Sequence, residues 1–300
     1  MTTQNNLRQQ ILTLHYIYPL PLHKLSLLLN YVKPPELIMD IHAYKLATLF
    51  SISVEKAAKI KRQFYEFLTL PLEEMYAENN YSAILFNDPL YPKELLNLID
   101  PPTVLYIKGD ASLLRLEKIA IIGSRNATNY TKRALSYIVP PLVEEHYAIV
   151  SGFAKGADTM AHEQTIAVGG KTIAVLGSGF GHIYPKTNKS LFEYMSKCHC
   201  IVTEYPPYME PKKWHFPMRN RIISGLSKAL VVTEAAERSG TLITTEHALE
   251  NGKDVFVVPG PIDCELSKGT NLLLKEGAIP VWNGYQIIDE LKLIFTEMRK

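Results

Sequence analysis

The residues best suited to chemistry in this chain sit where apolar runs give way to glycine. Gly123-Ser124-Arg125 follows the apolar stretch Lys118 to Ile122. The glycine admits close backbone approach, Ser124 and Thr128 offer hydroxyls, and Arg125 offers a fixed fork of donors suited to phosphate. Thr131 or Asn129 is placed to cap a helix running to about Glu145, whose first N–H groups point back at the same anion position. Three more stretches repeat the theme. Ser151-Gly152 opens a loop that reaches Asp158 and a helix containing His162. Gly177-Ser178-Gly179 precedes Tyr184-Pro185-Lys186-Thr187-Asn188, where Thr187 or Asn188 can cap the next helix. Ser239-Gly240-Thr241 opens a fourth helix. Four glycine-bearing polar loops with Arg125 and Lys186 nearby favour an anionic ligand.

Between Met209 and Arg221, Lys212, Lys213, Arg219 and Arg221 interleave with Trp214, His215 and Phe216. That mixture holds a nucleic-acid backbone while bases stack on rings. Arg219 and Arg221 cannot both point the same way from a helix beginning near Pro217, so one of them is expected to serve structure. Phe216, beside Pro217, suits a core anchor and a stacking ring equally.

Other chemistries have less support. The first turn lacks the second and third glycines of a dinucleotide fingerprint, and no acid ends the second strand. A P-loop is missing, and no G-x-S-x-G elbow surrounds any serine. His162 lacks an orienting partner in sequence and is expected to pack or hydrogen-bond. Cys198-His199-Cys200 reads as adjacent strand residues on opposite faces without a second ligand pair, so no metal is expected. No cofactor is expected either.

The elements that must position these loops fall into two regimes. All 16 glycines lie from Gly109 onward. Before that, helices are expected at Asn5 to Tyr16, Leu22 to Tyr31, Ala43 to Ser51 and Val54 to Phe67, the last capped by Ser53. Its Lys56, Lys59, Lys61 and Arg62 read as a solvated basic face more readily than as a DNA-gripping hairpin, which needs glycines that this region lacks. Strands at Tyr81 to Phe86 and Thr103 to Ile107 lead into a regular alternation. Strands near 118–122, 147–150, 171–176, 200–203, 229–233, 254–258 and 279–282 alternate with helices, the last from about Tyr285 to Met298. The fold class is therefore α/β: an extended Rossmann-like, doubly wound, mostly parallel sheet after a small all-helical module. The expected divisions are a helical module at 1–78, adaptor strands at 79–117 and the main domain at 118–300.

The composition is that of an ordinary globular protein, 47% hydrophobic and 21% charged. With 32 Lys and Arg against 30 Asp and Glu, any affinity for nucleic acid must come from local clustering. Three cysteines do not make a disulfide framework. No signal sequence or span of 18 apolar residues is seen, so a cytoplasmic location without membrane contact is expected.

Taken together, several stretches resemble the DprA/Smf family of DNA-processing proteins. They are Asp100 to Gly109, Ile122 to Arg125, Ser151 to Asp158 with His162, Tyr184 to Asn188, Glu204 to Pro207, Phe216 to Ser227, Ser239 to Thr244 and Val258 to Gly260. The resemblance implies a non-enzymatic protein that binds single-stranded DNA without sequence preference, forms a homodimer and loads the RecA recombinase in natural transformation and recombination. It implies a sterile-alpha-motif-like N-terminal module. It makes Arg125 and Lys186 the leading DNA contacts, with Gly123, Ser124, Ser151, Gly152, Asn188, Arg219, Asn220, Arg221, Ser239, Gly240 and Thr241 around them. Phe153, Ala157 and Lys253 depart from the family's usual leucine, isoleucine and arginine. The winged-helix domain that some members carry is not expected within these residues. The sheet is also similar to that of phosphoribohydrolases of the lysine-decarboxylase-like superfamily, the competing reading. There Thr244 stands where the catalytic glutamate is required.

Overall fold

The computed structural model describes residues 3–32 and 39–297. The chain starts with α1 (Thr3–Ile17), α2 (Leu22–Tyr31), α3 (Ala43–Phe50), α4 (Val54–Phe67) and α5 (Leu72–Glu78). The Ser53 hydroxyl accepts from Lys56 N at 3.2 Å and so caps α4 as expected. Helix α5 was not anticipated; it is a two-turn element entered from Pro71. On α4, Lys56, Lys59 and Arg62 are exposed while Ala57, Ile60 and Phe64 are buried at helical spacing.

Nine strands form one sheet in the order β1-β2-β6-β5-β4-β3-β7-β8-β9. They are β1 (Ser82–Leu85), β2 (Val104–Gly109), β3 (Lys118–Ile122), β4 (Ala148–Ser151), β5 (Thr172–Val175), β6 (Cys200–Thr203), β7 (Ala229–Val232), β8 (Asp254–Val257) and β9 (Ile279–Pro280). The run from β6 to β9 is parallel, and β2 and β1 add an antiparallel edge beyond β6. The helices between them are α6 (Asn129–Glu144), α7 (Ala157–Ala167), α8 (Lys189–Cys198), α9 (His215–Leu226), α10 (Gly240–Glu250) and α11 (Glu265–Lys275), with α12 (Gly284–Glu297) at the end. This is the doubly wound, mostly parallel α/β fold expected from the sequence.

All five residues of β3 are buried. Ile119 and Ile121 join the core under α6, α7 and α12, whereas Ala120 and Ile122 join the core on the opposite face. That alternation is why the strand reads as a continuous apolar run. The N-terminal helices share a core with the sheet: Leu12, Leu25, Leu46 and Phe64 belong to the same apolar cluster as Tyr106, Ala174 and Ile201.

The winding direction fixes where a site can form. From β3 the chain moves to β4, β5 and β6 on one side, then crosses back through α9 to β7, β8 and β9 on the other. Helix α6, after β3, packs on one face of the sheet and α10, after β7, on the other, leaving a crevice at the carboxyl ends of the strands.

Candidate nucleic-acid interface

The loop after β3 is held by its neighbours and so cannot swing freely. Ser124 N donates to the Glu234 carbonyl at 2.7 Å, and the Ser124 carbonyl accepts from Ala127 N and Ala157 N. The Glu234 carboxylate, only 2% exposed just past β7, gathers Thr128 N (2.7 Å), Thr128 Oγ1 (2.9 Å) and Thr131 Oγ1 (2.7 Å). Thr128, with extended backbone, is the cap of α6, accepting from Tyr130 N at 3.1 Å. The expectation that Thr131 or Asn129 caps this helix is thus corrected, because Thr131 is committed to Glu234. Gly156, at φ +78°, lets the following loop press against this one. A Cβ there would lie 2.4 Å from the Ser124 carbonyl oxygen.

Above this frame opens a cleft of about 370 Å3 at the crevice. Gly123, Ser124 and Arg125 line it from β3, Arg219 and Asn220 from α9, and Ser239, Gly240 and Thr241 from the start of α10. A second hollow of about 230 Å3 adjoins it, sharing Arg125, Phe216 and Arg219 and adding Lys155, Tyr184 and Pro185. Arg125 is exposed, with its guanidinium 5.6 Å from the Phe216 ring centre. Tyr184 meets the same ring at 5.6 Å. Phe216 is therefore a wall between the two hollows, with Arg125 over it. This is an arrangement in which a base could stack beside a bound phosphate.

Several polar groups are left for a ligand. The Ser239 hydroxyl is buried without a hydrogen-bond partner among the described residues. The first turn of α10 borders the cleft through Gly240 and Thr241, at the end of the helix where the macrodipole favours an anion. Lys155 and Lys186 are exposed; Lys186 lies one residue beyond Pro185 and outside the lining of both hollows.

Other expected site residues are placed behind the surface. The Ser151 hydroxyl is fully buried and donates to the Ile121 carbonyl at 2.5 Å. The Gly152 carbonyl accepts from His162 Nε2 at 2.6 Å. A Cβ at Gly152 would fall 2.3 Å from Asp158 Oδ2 and 2.7 Å from the Arg219 guanidinium. Gly152 thus makes room for a buried acid and base to lie side by side. Arg219, 4% exposed, donates from Nη1 to the Val175 carbonyl and from Nε to Asn220 Oδ1 at 3.1 Å. Burial pushes the Asp158 carboxyl up while the Arg219 charge pulls it back. Asn188 is buried and donates to Phe153 O and Thr159 Oγ1, so it ties loops together and does not cap α8 through its side chain. Arg221 points away from the cleft, paired through Nη2 with Glu204.

His162 is fully buried and lies outside the linings of the two hollows. His162 Nε2 meets the Gly152 carbonyl, and Nδ1 lies 2.7 Å from the Thr172 hydroxyl, which donates to the Ile149 carbonyl at 2.8 Å. Burial lowers its pKa to about 4. Thr244, in the position where a hydrolase would need its glutamate, lines the cleft and is 2% exposed. Cys198 ends α8 and is exposed, whereas Cys200 opens β6 and is buried, so the two are not adjacent strand residues as expected. Sequence reasoning missed Glu234 and Asp158 as the groups that set the loops. An acid immediately after a buried strand, at the end where parallel sheets build sites, was the available signal for Glu234.

Comparison with known proteins places this architecture. Residues 82–292 match the family model for DNA recombination-mediator protein A. The chain is 42% identical over 240 residues to DNA processing protein DprA of Bacillus subtilis, covering 79% of this chain and 80% of that protein. It is 44% identical over 205 residues to DprA of Streptococcus pneumoniae, covering 68% and 72%. The X-ray structure of the Streptococcus pneumoniae protein superposes with a TM-score of 0.80 at 33% identity, over 97% of this chain and 98% of that one. A structure of DNA processing protein A from Helicobacter pylori, described for its single-stranded DNA binding mode, superposes with a TM-score of 0.64 at 32% identity, over 70% and 95%. With a matched span covering most of the sheet and identities above 30% along most of the chain, this protein belongs to the DprA/Smf family of DNA-processing proteins.

Proposed function

We propose that this chain binds single-stranded DNA in the switch-point cleft, without sequence preference, and hands the strand to RecA. The observation that carries the reading is the grouping of the exposed Arg125 over Phe216, the unpartnered Ser239 hydroxyl and the start of α10 around one cleft. Arg125 and Lys186 neutralise backbone phosphates, the helix N-terminus and hydroxyls complete the cradle, and the rings of Phe216 and Tyr184 accept bases. No bond is broken. Position 244 of the cleft holds threonine in place of a carboxylate, and its buried Asp158 accepts a hydrogen bond from Ala154 N and lies in the field of the Arg219 charge. A homodimer acting in the cytoplasm would carry two clefts and hold one long strand through effective concentration.

Fluorescence anisotropy with labelled single-stranded and double-stranded oligonucleotides of equal length tests the reading. It predicts a strong preference for the single strand, with little change between oligonucleotides of different sequence. Equal binding of both forms would overturn it.

A further inference from the structure

Helix α9 has two polar faces, and the cleft uses one of them. Arg221 lies two positions beyond Arg219 and so about 200° around the helix. It lines a separate cavity of about 400 Å3, bounded by α9, the loop after β6 and the turn joining α1 to α2. Only 7% of Arg221 is exposed. Its Nη2 donates to Glu204, but Nε and Nη1 are buried without a partner among the described residues, and so is Glu204 Oε1. Two donors and one acceptor are thus withheld from water at the wall of a space large enough for a ring. Such groups are costly to bury unless something completes them.

The rest of the lining has a matching character. Trp214 is 62% exposed, with Lys212 Nζ 5.2 Å from its ring centre. Across the cavity Lys56 Nζ lies 4.9 Å from the Tyr18 ring centre. His215 and Tyr205 stack on each other at 4.0 Å, and both line the cavity. Asp100, the other acid in the lining, is paired with His23 at 2.7 Å. An exposed ring, two cations and a buried polar pair are the parts that recognise a base carrying a phosphate.

We propose that this cavity is a second nucleotide subsite: a base stacks on Trp214, its edge meets Arg221 and Glu204, and its phosphate meets Lys212 and Lys56. The ligand is a nucleotide, supplied either by a strand continuing from the cleft or by a free mononucleotide. The first source rests on the reading of the cleft given above; the second does not. One helix separates the two sites, a thickness of about 10 Å, so a single strand crossing the α9 N-terminus can engage both.

Trp282→Phe leaves Trp214 as the sole tryptophan, and its emission reports the subsite. It is titrated with deoxynucleoside monophosphates, with inorganic phosphate and with a single-stranded oligonucleotide. The titrations are repeated in a chain that also carries Arg125→Ala and Lys186→Ala. The inference predicts saturable quenching by mononucleotides in both chains, weakened at least threefold by Lys212→Ala, an exposed position whose loss does not threaten folding. Quenching by the oligonucleotide as well assigns the strand as the source; quenching by mononucleotides alone assigns the free nucleotide. Equal quenching by phosphate, or none by any nucleotide, overturns the inference. If Trp214 stays silent while oligonucleotide anisotropy still rises, the subsite falls and the cleft stands. If mononucleotides quench Trp214 while the oligonucleotide does not bind, the cleft falls and the subsite stands.

Discussion

At the scale of single residues, two arginines beside one cleft stand in opposite environments, Arg125 exposed and Arg219 buried. Arg125 follows the glycine that ends β3, stays exposed and lies over Phe216. It is therefore free to meet a phosphate. If the cleft neutralises about 3 to 5 phosphates, log affinity for a single strand should fall with log salt at a slope of about −2 to −3.5. Arg125→Ala should make that slope shallower by about 0.7, the contribution of one phosphate contact, and weaken binding alike for all sequences. A salt titration by anisotropy reads both; an unchanged slope would remove Arg125 from the phosphate path. Arg219 is different because its guanidinium is buried against Asp158 and the Val175 carbonyl at the cleft's back wall. Helical spacing showed that Arg219 and Arg221 face apart, but not which one faces the cleft. That choice is made by Gly152, whose missing Cβ leaves the space Arg219 occupies.

At the scale of elements, the strands and most helices could be read from the sequence because β3 to β8 are buried on both faces. Their apolar runs are bounded by glycine and polar turns. Boundaries were within a residue or two, as for β7, expected over 229–233 and found at Ala229–Val232. What could not be read was how the loops hold one another. Glu234 is more than 100 residues from Thr128 and Thr131 in sequence, and the pairing of β3 with β7 brings it to them. Glu234→Gln replaces one acceptor oxygen by a donor that faces either Thr128 or Thr131. The variant should lose about 1 to 3 kcal/mol of stability, seen as a lower denaturant midpoint at unchanged slope. A midpoint equal to that of the native chain would show that Glu234 does not hold the loop. The N-terminal region was less legible. Helix α5 is only two turns long, and its buried Leu72 and Tyr76 make too short a pattern to establish a period.

At the scale of the whole molecule, the helical region and the sheet are joined by a common core that carries buried histidines. His15, on α1, lies 3.2 Å from the Tyr106 hydroxyl on β2, and burial lowers its pKa to about 3. His162 is lowered to about 4. In both, the folded pKa lies below the value of 6.5 for a free side chain. Above pH 6.5 both rings are neutral, folded or unfolded, and their contribution is complete. As pH falls below 6.5 the unfolded chain takes up protons that the folded rings refuse, until about pH 4 for His162 and pH 3 for His15. Each histidine should therefore cost about 2 kcal/mol of stability between pH 6.5 and pH 5. Denaturation midpoints at the two pH values should move together by less in His162→Gln than in the native chain. An identical pH dependence in the variant would contradict the assignment of His162 as a neutral buried ring.

A single strand in the cleft bordered by Arg125, α9 and the start of α10 would set its bases against Phe216 and Tyr184. The most direct measurement is photocrosslinking with a single-stranded oligonucleotide carrying bromodeoxyuridine, followed by mass-spectrometric mapping of the attached residues. Crosslinks are expected at Phe216 and Tyr184, suppressed by Arg125→Ala with Lys186→Ala. Efficient crosslinking that maps only to residues outside the cleft, and survives that double substitution, would contradict it.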